Sequence, residues 1–395
     1  MRRGAAFDFD LLVVGGGPAG TSTALHLVRR EGIRPERIAL IDKARFPREK
    51  PCAGAISELG VEVLAELGVE VTVPSLPMLG VRVLAPGAVG QTERPMGIVV
   101  RRSEFDAHLL ELTRAEGVTV RDGEGVQAID RVPGGFRVTT SSGVLTTRLL
   151  AACDGAGSTT RKLLGVREAE RKGHLYVLET RPEPADVGPA RGLVDFDLSV
   201  LEDGLEGYYW DFPTVIGGER HVSRGIYHAN VTPSSDVKAS LARHLALRGI
   251  DIGGVKPKPF STRPFVPGAP SWLEGVVLVG EAVGIDRTTG EGIAQAIVMG
   301  RIAARHLARA MRAGGTSFAE YGRELFASTV GRHMLQSAWM ARRVYARLGA
   351  PARRYLLRSD YARRAAIEWY RGRPLSVCTQ LRLAAGLAAS LLAPR

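Results

Sequence analysis

Residues 11–42 constrain this chain more than any other stretch. An apolar strand, LLVVGGGPAG, leads into a helix, ALHLVRREG, and a second strand, IALID, closes on Asp42. Gly15, Gly17 and Gly20 stand at G-x-G-x-x-G spacing between strand and helix. The first glycine permits a tight turn, the second lets the backbone approach a pyrophosphate, and the third allows close strand–helix packing. Pro18 and Ala19 complete the loop, and amides exposed at the helix N-terminus favour a diphosphate's negative charge. Asp42 follows Gly20 by 22 residues, where a carboxylate accepts bonds from ribose hydroxyls, and Lys43 is counted with it. A lone glycine motif is weak evidence. Strand, spacing, helix and acid together point to an adenine dinucleotide, whereas a ligand-free turn leaves the acid unexplained.

A chain of 395 residues is expected to hold two or more domains, because single cores seldom grow past about 250–300 residues. Cys52, Cys153 and Cys378 have no metal-ligand spacing and cannot build a disulfide framework, which fits a reducing cytoplasm. The eight histidines show no pair at metal spacing, so no metal is expected. MRRGAAFDFD carries two aspartates and does not read as a signal peptide. No stretch reaches the roughly 18 uncharged apolar residues of a membrane span. The net charge of +12 is uneven: residues 341–395 hold twelve arginines against Asp360 and Glu368, a balance of +10, leaving +2 for the rest. Aromatic residues are not interleaved as in single-strand binders, so no nucleic-acid partner is expected.

Along the chain, VEVLAELG and SEFDAHLLELTRAEG read as helices, and residues 76–100 as short strands broken by Pro74, Pro77, Pro86 and Pro95. Alternating strands follow up to LLAACDGAGSTTRKLLG. The stretch from about 172 to 270 is strand-rich with one helix, DVKASLARHLALRG. GVVLVGEAVGIDRTTGEGIAQAIVMG then returns to strand, loop and helix, and the remainder is helical and arginine-rich. The expected fold is α/β: a Rossmann-like nucleotide domain (1–75, 98–171 and 272–330) split by a mostly antiparallel β substrate domain (76–97 and 172–271). A helical basic region, 331–395, completes it. The last strand of the nucleotide fold arrives some 265 residues after the first. A simple nicotinamide dehydrogenase does not need so late a return. A flavin does, because its ring lies far from its adenine and requires a second set of backbone donors.

Here the motifs resemble the FAD-dependent oxidoreductases of the para-hydroxybenzoate hydroxylase fold, over about residues 8–330. GGGPAG is the first, CDGAGSTTR the second and GEAVGIDRTTGEGI the third. The resemblance implies that Asp154 and Gly155 lie near the diphosphate, with Arg161 following on a helix. It implies that Glu281, after Gly280, meets the ribitol, and that Gly290, Glu291, Gly292 and Ile293 offer backbone amides to the pyrimidine end. Arg102, in RSEFDAHL, would sit close to the cofactor, and Val126 is placed with the same contacts. Glu281 stands where an aspartate is usual, and Arg287 where a proline is usual, which bears on loop stiffness.

Two further segments are similar to the geranylgeranyl reductase family. FPREKPCAGAIS matches K-P-C-G-G-G-L-S with Ala53 and Ala55 for glycines, and GYYWDFP matches Y-x-W-x-F-P through Tyr208, Trp210, Phe212 and Pro213. The resemblance implies saturation of prenyl double bonds by reduced FAD. Cys52 is then a candidate acid or an element of the pocket wall, and equally a small buried apolar residue. Tyr208, Trp210 and Phe212 would floor a hydrocarbon pocket, or simply pack as one sheet face. Glu291 can also cap the following helix, and Asp42 the following turn. The arginine-rich helices are solvated faces or amphipathic helices lying on anionic lipid at the inner face of a membrane.

Three functions stay open. The first is a reductase of carbon–carbon double bonds in a prenyl-like or other hydrophobic small molecule. The second is a flavin monooxygenase acting on a secondary metabolite; a halogenase is disfavoured because the segment at 208–213 lacks that class's W-x-W-x-I-P. The third is a non-catalytic flavoprotein whose basic tail docks a membrane or a partner. No second G-x-G-x-x-G is evident, so electrons would come from NAD(P)H bound transiently or from a reductase or ferredoxin partner.

Overall fold

The computed structural model describes residues 7–166, 172–250, 252, 254, 256–345 and 349–392. Strand Phe9–Val14 is fully apolar from Leu11 onward and lies at the centre of the first sheet. It pairs in parallel with Ile38–Asp42 on one side and with Gly143–Ala152 on the other. Thr119–Asp122 and Val276–Leu278 extend the parallel sheet outward at either end. Buried on both faces, Leu11–Val14, Ile38–Ile41, Leu149–Ala152 and Val276–Leu278 read as unbroken Val, Leu, Ile and Ala runs.

Chain order reverses around Phe9–Val14, which places a ligand crevice at the carboxyl ends of the central strands. The register brings those ends level. Val14 pairs with Ile41 and with Ala152, and Ala152 with Leu278. Each of the three glycine-bearing segments begins just past one of these ends, so strand pairing alone sets them side by side. Helix Pro18–Arg29 and the long helix Ile293–Ala313 cover one face. They pack closely enough that a Cβ on Gly300 would lie 2.7 Å from Ser22 Oγ.

The second sheet runs in the order Lys258–Thr262, Gly173–Thr180, Glu219–His228, Gly207–Ile216, Leu193–Asp197, Ser75–Ala85, Ala88–Val100 and Ala55–Ser57. Every pair is antiparallel except Leu193–Asp197 with Ser75–Ala85. Ala55–Ser57, expected with the nucleotide fold, is the edge strand of this sheet. Pro77 and Pro95 do not break this stretch into short strands: two long strands run through them, and Pro86 falls in the turn between the two. Pro77 precedes the point where Leu193–Asp197 joins at Gly80, so it has a neighbour on one side only, and Pro95 falls inside a register shift between Met78 and Gly80. Alternation decides the faces. Tyr208, Trp210 and Phe212 pack with Ile367 and Tyr370 of helix Asp360–Tyr370, while Tyr209 points to the opposite face and helix Val237–Leu247.

Helices Thr329–Val344, Gly349–Arg358, Asp360–Tyr370 and Val377–Leu392 form the carboxyl region. Its arginines are not simply solvated. Arg353 pairs with Glu202 at 2.6 Å, Arg371 Nε with Glu58 at 2.6 Å, and Arg373 with Glu58 at 3.1 Å, while Arg363 donates to Thr92 Oγ1 at 3.0 Å. Those contacts tie the helices to the body. Cys153 is buried, whereas Cys378 is exposed and belongs to no core. No helix among the described residues is long and apolar enough to cross a membrane.

Candidate functional site

The three glycine segments meet. Gly15 has φ +112°, and a Cβ there would lie 2.4 Å from the Cys153 carbonyl. Gly20 lies against Gly15, where a Cβ would come 1.9 Å from its carbonyl oxygen, and a Cβ on Gly280 would come 2.9 Å from that of Ala19. Gly17 differs: a Cβ would meet only Arg48 Nη2, at 3.3 Å, so its open side faces away from the packed protein. Pro18 takes the first helical position, and the first turn holds no acid, which leaves the helix N-terminus suited to an anion.

Asp42 ends its strand half-buried. Its carboxylate accepts from the amides of Gly16 at 2.7 Å and Ala44 at 2.8 Å, so it fixes the glycine turn while retaining lone pairs on the same oxygens. Lys43 is exposed beside Gly125, and Val126 is half-buried at the start of the next strand. Asp154 caps the short helix Thr159–Leu163, accepting from Ser158 Oγ at 2.5 Å and the Thr160 amide at 2.9 Å. Arg161 donates to the Ala282 carbonyl at 2.9 Å, and Arg263 to that of Ala156 at 2.8 Å. Two buried guanidiniums thus lock the second segment to the third. Glu281 accepts from the Arg263 amide, with its other oxygen close to Gly155 and 3.7 Å from Lys50 Nζ.

A cationic wall stands opposite. Arg102 is buried in a bidentate pair with Asp106, at 2.8 and 2.7 Å, and Arg48 reaches the same carboxylate at 3.1 Å. The Cys52 thiol lies beside the Arg102 guanidinium and accepts from the Gly54 amide at 3.3 Å. Lys50 lies over the Phe260 ring, 3.2 Å from its centroid. Burial pushes its ammonium down to about 8, with Arg102 and Arg48 adding to the push and Glu281 opposing it.

The four amides expected to meet the ring are not equally placed. Gly290 donates to the Asp286 carbonyl at 3.0 Å and Glu291 to Thr289 Oγ1 at 3.2 Å, so both are committed within the loop. The Glu291 carboxyl caps the next helix, accepting from Ala294 at 2.9 Å, and lies against the Ile293 amide; burial pushes it up to about 8. The amide of Gly292 has no such partner among the described residues.

What holds this loop was not foreseen from the sequence. Asp286, wholly buried, accepts from the Thr288 amide at 2.7 Å, Thr289 Oγ1 at 2.7 Å, His333 Nε2 at 3.0 Å, Trp369 Nε1 at 3.3 Å and the Ser337 hydroxyl. Burial opposes its ionisation, yet His333, Ser337 and Thr288 outweigh burial and hold the carboxyl far below the usual range. Three tyrosines donate to successive loop carbonyls: Tyr227 to Arg287, Tyr345 to Thr288 and Tyr208 to Thr289. Arg287, standing where a proline is usual, donates its amide to Ser337 Oγ at 2.8 Å, a bond proline cannot make. Stiffness therefore comes from the carboxyl helices. The one available signal was His333 and Ser337 four residues apart on one helix face, and that spacing does not say what they face.

Tyr208, Trp210 and Phe212 are brought together as an apolar face with Phe196, at ring separations of 4.9 Å to Tyr208 and 5.3 Å to Phe212. Trp210 lies across Gly225, where a Cβ would meet its ring at 2.3 Å. Helix Asp360–Tyr370 covers the face.

Residues 8–198 match the FAD binding domain family. The digeranylgeranylglycerophospholipid reductase of Thermoplasma volcanium is 28% identical over 323 residues, covering 75% of this chain and 77% of that protein. The solved geranylgeranyl bacteriochlorophyll reductase-like protein of Thermoplasma acidophilum superposes with a TM-score of 0.72. It is 21% identical and covers 95% of this chain and 96% of the other. This chain is an FAD-dependent oxidoreductase that is similar to the geranylgeranyl reductases. The flavin-dependent brominase Bmp2 shares the fold, with a TM-score of 0.67, 16% identity and coverage of 96% and 98%. The residues present fit FAD: the glycine turns leave backbone room, the helix N-terminus is free of acids, and basic side chains line the crevice.

Proposed function

We propose that this oxidoreductase saturates carbon–carbon double bonds in a prenyl-like or other hydrophobic substrate. One observation carries the reading: the apolar face of Tyr208, Trp210 and Phe212 is bonded, through the Tyr208 hydroxyl, to the carbonyl of Thr289 in the loop proposed to hold the flavin. A hydrocarbon entering between that face and helix Asp360–Tyr370, which packs on it, would lie beside the cofactor. The likeness to the reductases named above gives the chemistry its direction. Reduced FAD supplies a hydride when bound. Gly15, Gly17 and Gly20 with Pro18 and Ala19 admit the diphosphate, Asp42 meets the ribose, and Glu281 with Gly280 the ribitol. Gly155, Lys43, Val126 and Arg102 flank the same path, and the Gly292 amide with Ile293 meets the ring. Electrons come from NAD(P)H bound transiently or from a reductase or ferredoxin.

Cys52 lies beside the Arg102 guanidinium, and its neighbour Ala53 packs on the apolar face. Cys52→Ala is expected to keep full FAD content and slow substrate reduction by about tenfold, short of the roughly 100-fold or more of a lost general acid, because it alters the pocket wall beside Arg102. Turnover at the wild-type rate would make the thiol structural. The reading itself is tested by anaerobic mixing of the chemically reduced holoenzyme with a polyprenyl alkene, following flavin absorbance. Reoxidation without oxygen is expected. Reoxidation only in air, with an oxygenated product, would make the enzyme a monooxygenase instead.

Peripheral contact with anionic lipid belongs to the same proposal. Helix Val377–Leu392 presents Val377, 70% exposed, and Leu381, 65% exposed, with Arg382 as its one charge. An apolar helix face left to water beside a strongly basic segment suits a lipid surface. Leu381→Asp should lower co-sedimentation with phosphatidylglycerol vesicles several-fold and leave pure phosphatidylcholine binding at background. Equal sedimentation of variant and wild type would remove this helix from any membrane role.

A further inference from the structure

Five tyrosines are buried: Tyr208, Tyr209, Tyr227, Tyr321 and Tyr370. Four spend the hydroxyl on a fixed acceptor: Tyr208 on the Thr289 carbonyl, Tyr209 on Asp211, Tyr227 on the Arg287 carbonyl and Tyr321 on the Leu278 carbonyl. The Tyr370 hydroxyl has no hydrogen bond among the described residues, and its oxygen is not fully enclosed, although the residue as a whole is only 6% exposed. A phenol O–H that no protein group engages and that is not sealed in is free to donate to a bound molecule.

Its position is bracketed on both sides. The preceding residue, Trp369, donates to Asp286 and to Thr288 Oγ1 in the loop that precedes the long helix. The following residue, Arg371, pairs with Glu58, six residues after Cys52. The end of helix Asp360–Tyr370 therefore spans from the proposed flavin loop to the Cys52 turn, and Tyr370 lies between. Its ring meets Phe196 at 6.1 Å and joins the cluster of Ala53, Tyr208 and Trp210. Burial pushes the phenol well up, with Glu291, Cys52 and Asp286 adding to the effect in that order, so it stays protonated at neutral pH.

We propose that Tyr370 is the acid that protonates the substrate alkene. This rests on the double-bond reduction proposed above. As hydride from the reduced flavin forms a C–H bond at one alkene carbon, the Tyr370 O–H bond breaks and its proton forms a C–H bond at the other. The two electrons of the hydride reduce the alkene, the flavin is left oxidised, and water returns a proton to the phenolate. A raised pKa makes the phenol a weak acid that does not leak its proton, and transfer is driven only as charge develops on the neighbouring carbon.

The experiment compares wild type and Tyr370→Phe as FAD-loaded proteins, chemically reduced without oxygen and mixed with the same polyprenyl alkene. Tyr370→Phe should bind FAD as wild type does and unfold at the same or a higher urea concentration, because it removes an unbonded hydroxyl. Its flavin reoxidation should slow about 100-fold or more, the scale of a lost general acid, and the solvent deuterium isotope effect of wild type should change. If wild type is reoxidised and the variant follows within about threefold, Tyr370 is not the acid and the reductase reading stands. If the variant unfolds at clearly lower urea, the hydroxyl has a structural partner and the inference fails. If wild type itself is not reoxidised without oxygen, the reductase reading fails and the inference with it.

Discussion

Gly17→Val should give a folded protein that carries no FAD. The two halves of that statement have separate physical origins. Gly17 caps the first helix with φ −79° and ψ −174°, extended backbone open to any residue. A side chain there would meet only the tip of Arg48, which can move aside. The protein therefore tolerates valine, and the cost falls on the ligand, because the methyls occupy the approach of the diphosphate to the helix amides. Losing two charge-assisted bonds at about 1.5–3 kcal/mol each weakens binding by roughly 100-fold or more. Gly20→Val is the contrasting variant. Its Cβ would lie 1.9 Å from the Gly15 carbonyl, so it should fail at folding and not at binding. FAD-to-protein ratio after gel filtration, with a thermal melt, checks both. A Gly17→Val protein with full FAD would remove the diphosphate from this turn.

Asp286→Asn is expected to cost more than any other single isosteric change in the chain. The carboxylate accepts from the Thr288 amide, His333, Trp369 and three hydroxyls in a site with no water access. An amide nitrogen in place of one oxygen turns an acceptor into a donor facing donors and leaves His333 without its carboxylate acceptor. Breaking a buried pair in this way costs about 3–5 kcal/mol. The loop then loses its anchor, and flavin retention should fall with stability. The pH dependence has a defined sign. Because the folded-state carboxyl is held far below its ordinary value of 3.8, it contributes stability above that value and loses it as pH falls through the folded pKa. Urea unfolding at neutral and acidic pH should therefore show wild type falling toward the variant as acid is added. A neutral-pH difference under about 1 kcal/mol would mean the cluster does not hold the loop.

The nucleotide half is legible in the sequence because its signals are local. Gly15, Gly17 and Gly20 declare a turn, and apolar runs such as LLVV and IALID declare buried parallel strands. Their convergence with the segments at Asp154 and Gly280 followed from three co-linear motifs, and strand register explains it. The carboxyl helices were opaque for the opposite reason. His333, Ser337, Trp369 and Tyr370 act on residues far away in the chain, and nothing in their neighbours names Asp286 as the target. The arginine-rich composition drew attention outward, to solvent or lipid. Arg371 and Arg353 in fact turn inward, onto Glu58 and Glu202. Long strands through Pro77 and Pro95 are hard to read because proline's cost depends on whether a neighbouring strand needs its absent N–H.

The most direct measurement is the mass of the product formed when reduced holoenzyme turns over a polyprenyl alkene under an atmosphere enriched in heavy oxygen. The account predicts a product heavier by two hydrogens and free of the oxygen label. Labelled oxygen in the product, with the double bond consumed or intact, would contradict it.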